Sequence, residues 1–297
     1  MTAKRPTIVV CGATGQQGGA VLGELEASGD WHLVALSRDP DSARSKAIRA
    51  RGIDVRLADL CDPTALASIF SGAYGVYGVT TNIDDKGRVD TATERVQGFA
   101  IAQACASADV RHLVMSTVLY ISDEQQAIPY VATKYDIEQR VAELELPCTF
   151  LRPGSFMDEI GGEYLPVKRG VITGQADGDV RVPYVACRDI GAFARLAFDD
   201  PDTYIGRKLN LVGDFISGDD LAELLGALSK RPVRHKAPPM WLMHIFARQW
   251  ITLRRQFENW GRPPHPSSML DALEQTRQLR PDTLTFERYL ETTGFTA

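Results

Sequence analysis

Two short patterns in this chain combine residue types and spacing suited to chemistry. The first is Gly12-Ala13-Thr14-Gly15-Gln16-Gln17-Gly18, directly after the β-rich run Thr7-Ile8-Val9-Val10-Cys11 and ahead of a helical stretch over roughly 17–27. Gly12 permits a tight turn, Gly15 lets backbone approach a pyrophosphate, and Gly18 allows close packing of helix on strand. The helix start then offers free N–H groups and partial positive charge to phosphate, with Thr14, Gln16 and Gln17 completing the candidate cradle. The second pattern is Tyr130-Val131-Ala132-Thr133-Lys134 on a predicted helix over 130–144. Residues four apart share a helical face, so phenol and ammonium point into one site. A neighbouring ammonium lowers a phenol's pKa and suits Tyr130 to proton transfer near neutrality. Lys134 is also placed to hydrogen-bond a nicotinamide ribose. Ser116 and Thr117, closing the preceding strand, are candidates for holding a substrate carbonyl or alcohol. A helix-start tyrosine and a surface lysine are the plain structural alternatives.

Cofactor choice turns on the end of the second strand. An NAD site places an acid there, about 20 residues past the glycine turn, to hold the ribose diol. This chain has Ser37-Arg38. Arginine pairs with a 2′-phosphate through charge-assisted hydrogen bonds, and Ser37 adds a hydroxyl, so the spacing points to NADP(H). Arg44 and Lys46 read as a solvated basic helix face, and Asp39 keeps the NAD alternative open. Asp59 and Leu60, after the third strand, either edge the adenine or serve a turn. Thr80 and Thr81 end the fourth strand, on the path to the nicotinamide ribose or simply as a polar strand end.

The elements that must position these groups alternate through the first half. Short apolar runs at 7–11, 32–36, 55–58, 75–79, 113–117 and 148–151 are separated by helical patterns at 17–27, 41–51, 63–70, 88–108 and 130–144. Continuous apolar strands between amphipathic helices specify an α/β fold: a Rossmann-type, doubly wound parallel sheet covered on both faces. The expected division is a nucleotide-binding domain over 1–155 and a smaller α/β substrate or partner region over 156–297. Segments at about 183–212 are expected to rejoin the main domain. From Pro239 onward Trp241, Leu242, Ile245, Phe246, Trp250, Leu253, Phe257 and Trp260 recur at near-helical spacing. That spacing predicts an amphipathic helix packed on the body as pocket wall, which implies an apolar, planar substrate. A membrane-surface helix or a groove-binding segment are its alternatives.

Composition narrows the class. The chain has 297 residues, 44% hydrophobic and 24% charged, enough for a core that needs no staples. Net charge is −5 with no basic run of the kind a phosphate-backbone binder carries, which argues against nucleic acid as partner. Five cysteines are scattered without a C-x-x-C pair, which reads as reduced thiols. No signal peptide is visible and no apolar run approaches the roughly 18 residues of a membrane span, so the expected location is cytoplasmic. His235, His244 and His265 lack metal-ligand spacing, so no metal is expected.

Together, Val9-Val10-Cys11-Gly12-Ala13-Thr14-Gly15-Gln16-Gln17-Gly18-Gly19, Ser37-Arg38, Leu151-Arg152-Pro153-Gly154-Ser155-Phe156 and Asp189-Ile190-Gly191 resemble the NmrA-like group of atypical short-chain dehydrogenases/reductases. The resemblance covers most of the chain and is strongest before residue 200. It implies a Rossmann domain with NADP(H), a smaller C-terminal region closing a cleft, and Pro153, Gly154 and Phe156 as the wall beside the nicotinamide. Some members of that group reduce quinones or phenylpropanoids. Others lack the working tyrosine and act as redox sensors that bind nucleotide and a protein partner. Tyr130 with Lys134 departs from the sensor pattern toward an active reductase, so the expected partner is a small apolar substrate, with a regulatory protein partner as the alternative.

Overall fold

The alternating runs of the first half become alternating elements: β1 (Thr7–Val10), α1 (Gln16–Ser28), β2 (His32–Ser37), α2 (Ala43–Ala50), β3 (Asp54–Leu57), α3 (Pro63–Phe70), β4 (Gly75–Gly78), α4 (Thr91–Ser107), β5 (His112–Ser116), α5 (Pro129–Glu143) and β6 (Cys148–Pro153). Shorter elements follow: β7 (Ser155–Phe156), β8 (Val167–Lys168), β9 (Val171–Thr173), β10 (Arg181–Val185), α6 (Cys187–Asp199), α7 (Pro201–Tyr204), β11 (Lys208–Leu211), β12 (Asp214–Ser217) and α8 (Gly218–Ser229). The chain closes with β13 (Arg234–Lys236), α9 (Met240–Phe246), α10 (Ile251–Gly261), α11 (Ser267–Leu279) and α12 (Phe286–Thr293). This computed structural model describes residues 5–81, 83, 88–119, 128–246 and 250–297, and the side chains of Tyr130 and Phe246 fall outside the description. By contacts the chain forms two units, Met1–Arg152 with Ile190–Leu209, and Pro153–Asp189 with Asn210–Ala297.

The first unit is built on a sheet of order β3-β2-β1-β4-β5-β6-β11. Every pairing from β3 through β6 is parallel. β4, β5 and β6 are buried along their whole length, as strands covered by helices on both faces must be. Edge strand β3 shows the opposite, with Leu57 67% exposed. The chain runs outward from β1 to β3, then returns to β4 on β1's other side and runs outward to β6. That reversal is the switch point of an open α/β sheet, and ligands collect outside the carboxyl ends of the strands there. The fold is a Rossmann-like α/β fold. Several helix starts are set by side-chain caps. Ser42 Oγ takes the Ser45 N–H at 3.3 Å and Asp90 Oδ1 takes the Thr93 N–H at 3.0 Å. Hence α2 and α4 begin later than the apolar spacing alone predicts. The core gathers Phe70, Ile101, Leu113, Met115 and Ile137, and α4 meets α5 so closely that a Cβ on Gly98 would stand 2.4 Å from Ile137.

The second unit holds two three-stranded sheets, β12-β10-β7 and β13-β9-β8. Its own core centres on Met157, Ile172, Leu225, Phe286 and Leu290. The stretch expected as one packed amphipathic helix forms two helices, α9 and α10. The second carries most of the packing, while α9 buries Met243: Phe257, Leu253 and Trp260 join Ala176, Val180 and Val182, and a Cβ on Gly261 would lie 2.2 Å from the Arg181 carbonyl. On α9, Trp241 and Ile245 stay 66% and 64% exposed. A buried arginine explains the difference. Arg254 bonds the Pro238 carbonyl, Asp177 and Glu258, so α10 is anchored by polar contacts as well as by an apolar stripe. Among the described residues no helix is long and apolar enough to cross a membrane.

Candidate functional site

Because strands β1 to β6 run parallel, the groups that follow β1, β2, β3, β4 and β5 gather at one edge of the first unit's sheet. The glycine turn comes first. Gly12 takes a left-handed φ of 61°, and the Gly15 N–H bonds back to its carbonyl at 2.9 Å. A Cβ on Gly18 would stand 2.3 Å from the Gly12 oxygen and 2.7 Å from the Cys11 oxygen, so only glycine lets α1 start here. No side chain caps α1 at Gly15 and no acid lies in its first turn. The first N–H groups, at Gln16, Gln17 and Gly18, therefore face outward with partial positive charge and suit an anion. The Gln17 side chain turns inward, where its Oε1 accepts from the Tyr77 hydroxyl, so Gln17 offers its backbone rather than its amide.

The turn after β2 is tied into itself. The Asp39 carbonyl gathers the hydroxyls of Ser37, Ser42 and Ser45 at 2.9, 2.9 and 2.8 Å. The Asp39 carboxylate accepts the Asp41 N–H at 3.0 Å, an Asx turn of the kind that shapes loops. Ser37 is buried and its hydroxyl also receives Ser45 at 2.9 Å. Serines and the Asp39 backbone thus build the loop, and Arg38 and Arg44 are among its exposed groups. Arg44, read from the sequence as part of a solvated face, reaches from α2 to the Thr14 carbonyl at 3.0 Å and joins the two turns. Arg38 is exposed at the strand end. After β3, Asp59 Oδ1 accepts the Cys61 N–H at 2.9 Å, and Leu60 packs against the core.

Beyond β4 lies a buried polar cluster that sequence reasoning half found. Lys134 Nζ sits 2.6 Å from Thr80 Oγ1 and 2.8 Å from Glu94 Oε1, and the Thr80 hydroxyl donates to that same Oε1 at 3.1 Å. The Lys134 and Glu94 side chains are 10% and 1% exposed. Thr81 gives its N–H to Gln97 Oε1 at 3.1 Å. Glu94 changes the electrostatics expected of Lys134. The ammonium is paired with a buried carboxylate and is not the lone cation that the sequence spacing suggests. Tyr130 lies in the first turn of α5, and its side chain is outside the described atoms.

A second buried acid sits one turn along α5. Glu138 Oε1 takes the Thr117 hydroxyl and Arg152 Nε, both at 2.9 Å, while Oε2 takes Arg152 Nη2 at 2.5 Å and lies 3.2 Å from Lys208 Nζ. Thr117 therefore spends its proton on Glu138, and Ser116, 1% exposed, lies beside it in the strand. Pro153, Gly154 and Phe156 belong to the second unit. There Gly154 passes so close to β10 that a Cβ would meet the Pro183 oxygen at 2.7 Å, and Phe156 registers with Val185. The sequence carried one usable hint of these acids: Glu138 follows Lys134 by four residues and must share its face. Glu94 lies 40 positions from Lys134 in the chain, and nothing local marks the pairing.

The buried thiols are poor nucleophiles. Burial pushes Cys11 up to about 12 and raises Cys105 and Cys148 well above the ordinary thiol range. Among the described residues no group of three His, Cys, Asp or Glu side chains is placed to hold a metal ion.

Comparison with known proteins places this geometry. The NmrA-like family model matches residues 4–290. An NmrA-like family domain-containing oxidoreductase from a Cladobotryum species is 28% identical over 259 residues, covering 79% of this chain and 77% of its own. An NAD(P)H azoreductase from Xenophilus azovorans is 26% identical over 287 residues, covering 92% and 87%. Among solved structures, NmrA, a negative transcriptional regulator, matches with a TM-score of 0.77 at 17% identity over 98% of both chains. The Citrobacter sp. triphenylmethane reductase complexed with NADP(H) matches at 0.75 and 20%, over 96% of this chain and 99% of its own.

Proposed function

The chain belongs to the NmrA-like family, and we propose that it binds NADP(H) and acts as an NADPH-dependent reductase of a small apolar carbonyl, quinone or related substrate. The observation that carries this reading is the uncapped start of α1, held against β1 by a Gly18 that admits no side chain. Its residues fit the cofactor. Backbone N–H groups of Gln16, Gln17 and Gly18, with Gly12 and Gly15 shaping the turn and Thr14 beside it, bind the pyrophosphate. Arg38, with Arg44 held on the Thr14 carbonyl, takes the 2′-phosphate. One oxygen of the Asp39 carboxylate is engaged within its own loop, which favours NADP(H) over NAD. Asp59 and Leu60 edge the adenine, and Ser37 supports the phosphate site through its loop rather than by contact. Thr80 orients Lys134, whose remaining N–H serves the nicotinamide ribose, and Thr81 lines the path to that ribose. Pro153, Gly154 and Phe156 are assigned as cofactor contacts on their motif alone.

When bound, the cofactor supplies hydride chemistry, and the protein's part is orientation and proton supply. Tyr130 is the proton donor to the substrate oxygen, Ser116 positions that oxygen, and Thr117 acts through Glu138 rather than on substrate. Support for the reductase reading comes from the oxidoreductase and azoreductase names of the curated relatives. A second reading, a nucleotide-responsive regulator that engages a protein partner, is favoured by two observations. The charge of Lys134 is matched by Glu94, and the structural likeness to NmrA is extensive.

One variant separates the readings. Tyr130→Phe is expected to bind NADPH like the wild type and to lose NADPH oxidation across a panel of carbonyls and quinones. Unchanged turnover removes Tyr130 from the chemistry. A wild-type protein that binds NADPH yet oxidises it with no member of the panel supports the regulator.

A further inference from the structure

We infer that Glu94 sets the relative affinity of this site for the oxidised and reduced cofactor by cancelling the charge of Lys134. The inference rests on the reading of the first unit as an NADP(H) site with Lys134 at the nicotinamide ribose.

Glu94 lies in the first turn of α4 and is 1% exposed. Its Oε1 receives both the Lys134 ammonium at 2.8 Å and the Thr80 hydroxyl at 3.1 Å. Its Oε2 is buried and has no hydrogen-bond partner among the described residues. A carboxylate kept only as a structural anchor is expected to have both oxygens satisfied, because an unmatched buried acceptor is costly. Orientation of Lys134 does not demand an acid either, since Thr80 Oγ1 already accepts from Nζ at 2.6 Å. What the carboxylate adds, and a neutral acceptor does not, is charge. The ammonium has three N–H donors and these two contacts use two of them. Among the described residues the third has no acceptor, and the pair as a whole carries no net charge.

The two cofactor forms differ by one charge at the nicotinamide ring, positive when oxidised and neutral when reduced. A lone ammonium beside that ring repels the oxidised form and leaves the reduced form nearly indifferent. With Glu94 ionised the repulsion is cancelled, and the oxidised form is retained. Glu94 is thus a positioning and charge-setting residue that acts through Lys134.

The experiment is titration of NADP⁺ and NADPH, separately, into wild-type protein and Glu94→Gln. Glutamine keeps an acceptor oxygen for Lys134 and Thr80 but removes the charge. The expected result is NADP⁺ binding weakened by about tenfold, about 1.4 kcal/mol, with NADPH affected little. An effect of that order follows from a unit charge about 6 Å away at an effective dielectric of about 40, between the value near a protein surface and that of bulk water. Glu94→Gln/Lys134→Met removes both charges, and the ratio of the two dissociation constants should return toward the wild-type value even if both forms bind more weakly. An unchanged ratio in Glu94→Gln, or equal weakening of both forms, overturns the inference. If Glu94→Gln does not fold, Lys134→Gln at about pH 8, well above the carboxylate range, decides. It leaves the acid alone and should shift the ratio toward NADP⁺, and no shift contradicts the proposal. A wild-type protein that binds neither form fails the cofactor reading itself, a result distinct from any change in ratio.

Discussion

Removing Glu138 should cost stability far more than it costs cofactor binding. Glu138 is 2% exposed and the Arg152 side chain 10%, and the two share bonds of 2.9 and 2.5 Å in a fork geometry. Glu138→Ala leaves the guanidinium buried without its partner, a change that costs about 3–5 kcal/mol in such pairs. The bond from Thr117 at 2.9 Å adds about 1 kcal/mol. Lys208, 49% exposed, adds little, because solvent screens its 3.2 Å contact. The sum, about 4–6 kcal/mol, corresponds to a fall in Tm on the order of 10 °C. Urea denaturation followed by circular dichroism, with and without NADPH, reads the loss. Thr117→Val should lose only the single hydrogen bond and leave KM for any substrate unchanged. Glu138→Leu/Arg152→Met, which removes both charges, should recover most of the stability lost by the single variant. A loss below about 1 kcal/mol in Glu138→Ala contradicts the claim that this pair is buried and coupled.

Other perturbations follow from the same structure. His112 is fully buried, its Nε2 lies 2.8 Å from Thr149 Oγ1, and burial pulls its pKa from 6.5 to about 4. Because the folded state disfavours the charged ring, this contribution is complete above about pH 6.5 and is lost as pH falls toward 4. It amounts to about 3 kcal/mol. His112→Gln should flatten the stability–pH curve in that window, and an identical curve contradicts the assignment. Gly18→Ala should weaken NADPH binding at least about tenfold, since the added methyl meets backbone oxygens at 2.3 and 2.7 Å that cannot move aside without reshaping the turn. Full affinity in that variant rules out the turn as drawn. Arg44→Ala should weaken NADPH more than NADH, by roughly three- to tenfold, because only the former carries the 2′-phosphate. Equal effects on both make Arg44 a brace for Thr14 alone.

The parallel sheet was readable because β1, β2, β4, β5 and β6 are buried on both faces, which writes continuous apolar runs into the chain. The second unit resisted because β7, β8, β9 and β13 are only two or three residues long, too short to show a period. Near-helical spacing from 241 to 260 misled, since periodicity reports a potential apolar face and not what covers it. Trp241 and Ile245 share that spacing with Phe257, yet only Phe257 finds a neighbour on β10. At the site, the glycine turn was legible because each glycine answers a steric demand of the local chain. Gln17 and Ser37 were read as cofactor residues; in the structure their side chains serve Tyr77 and the Asp39 loop. Glu94 was invisible because its partner arrives from another helix.

Titration of purified protein with NADPH and then with NADH, by calorimetry, tests the central claim most directly. Saturable NADPH binding at one site per chain is predicted, with NADH weaker by at least about tenfold, as loss of the charged phosphate contacts requires. Heat changes absent for both dinucleotides would contradict the account at its root.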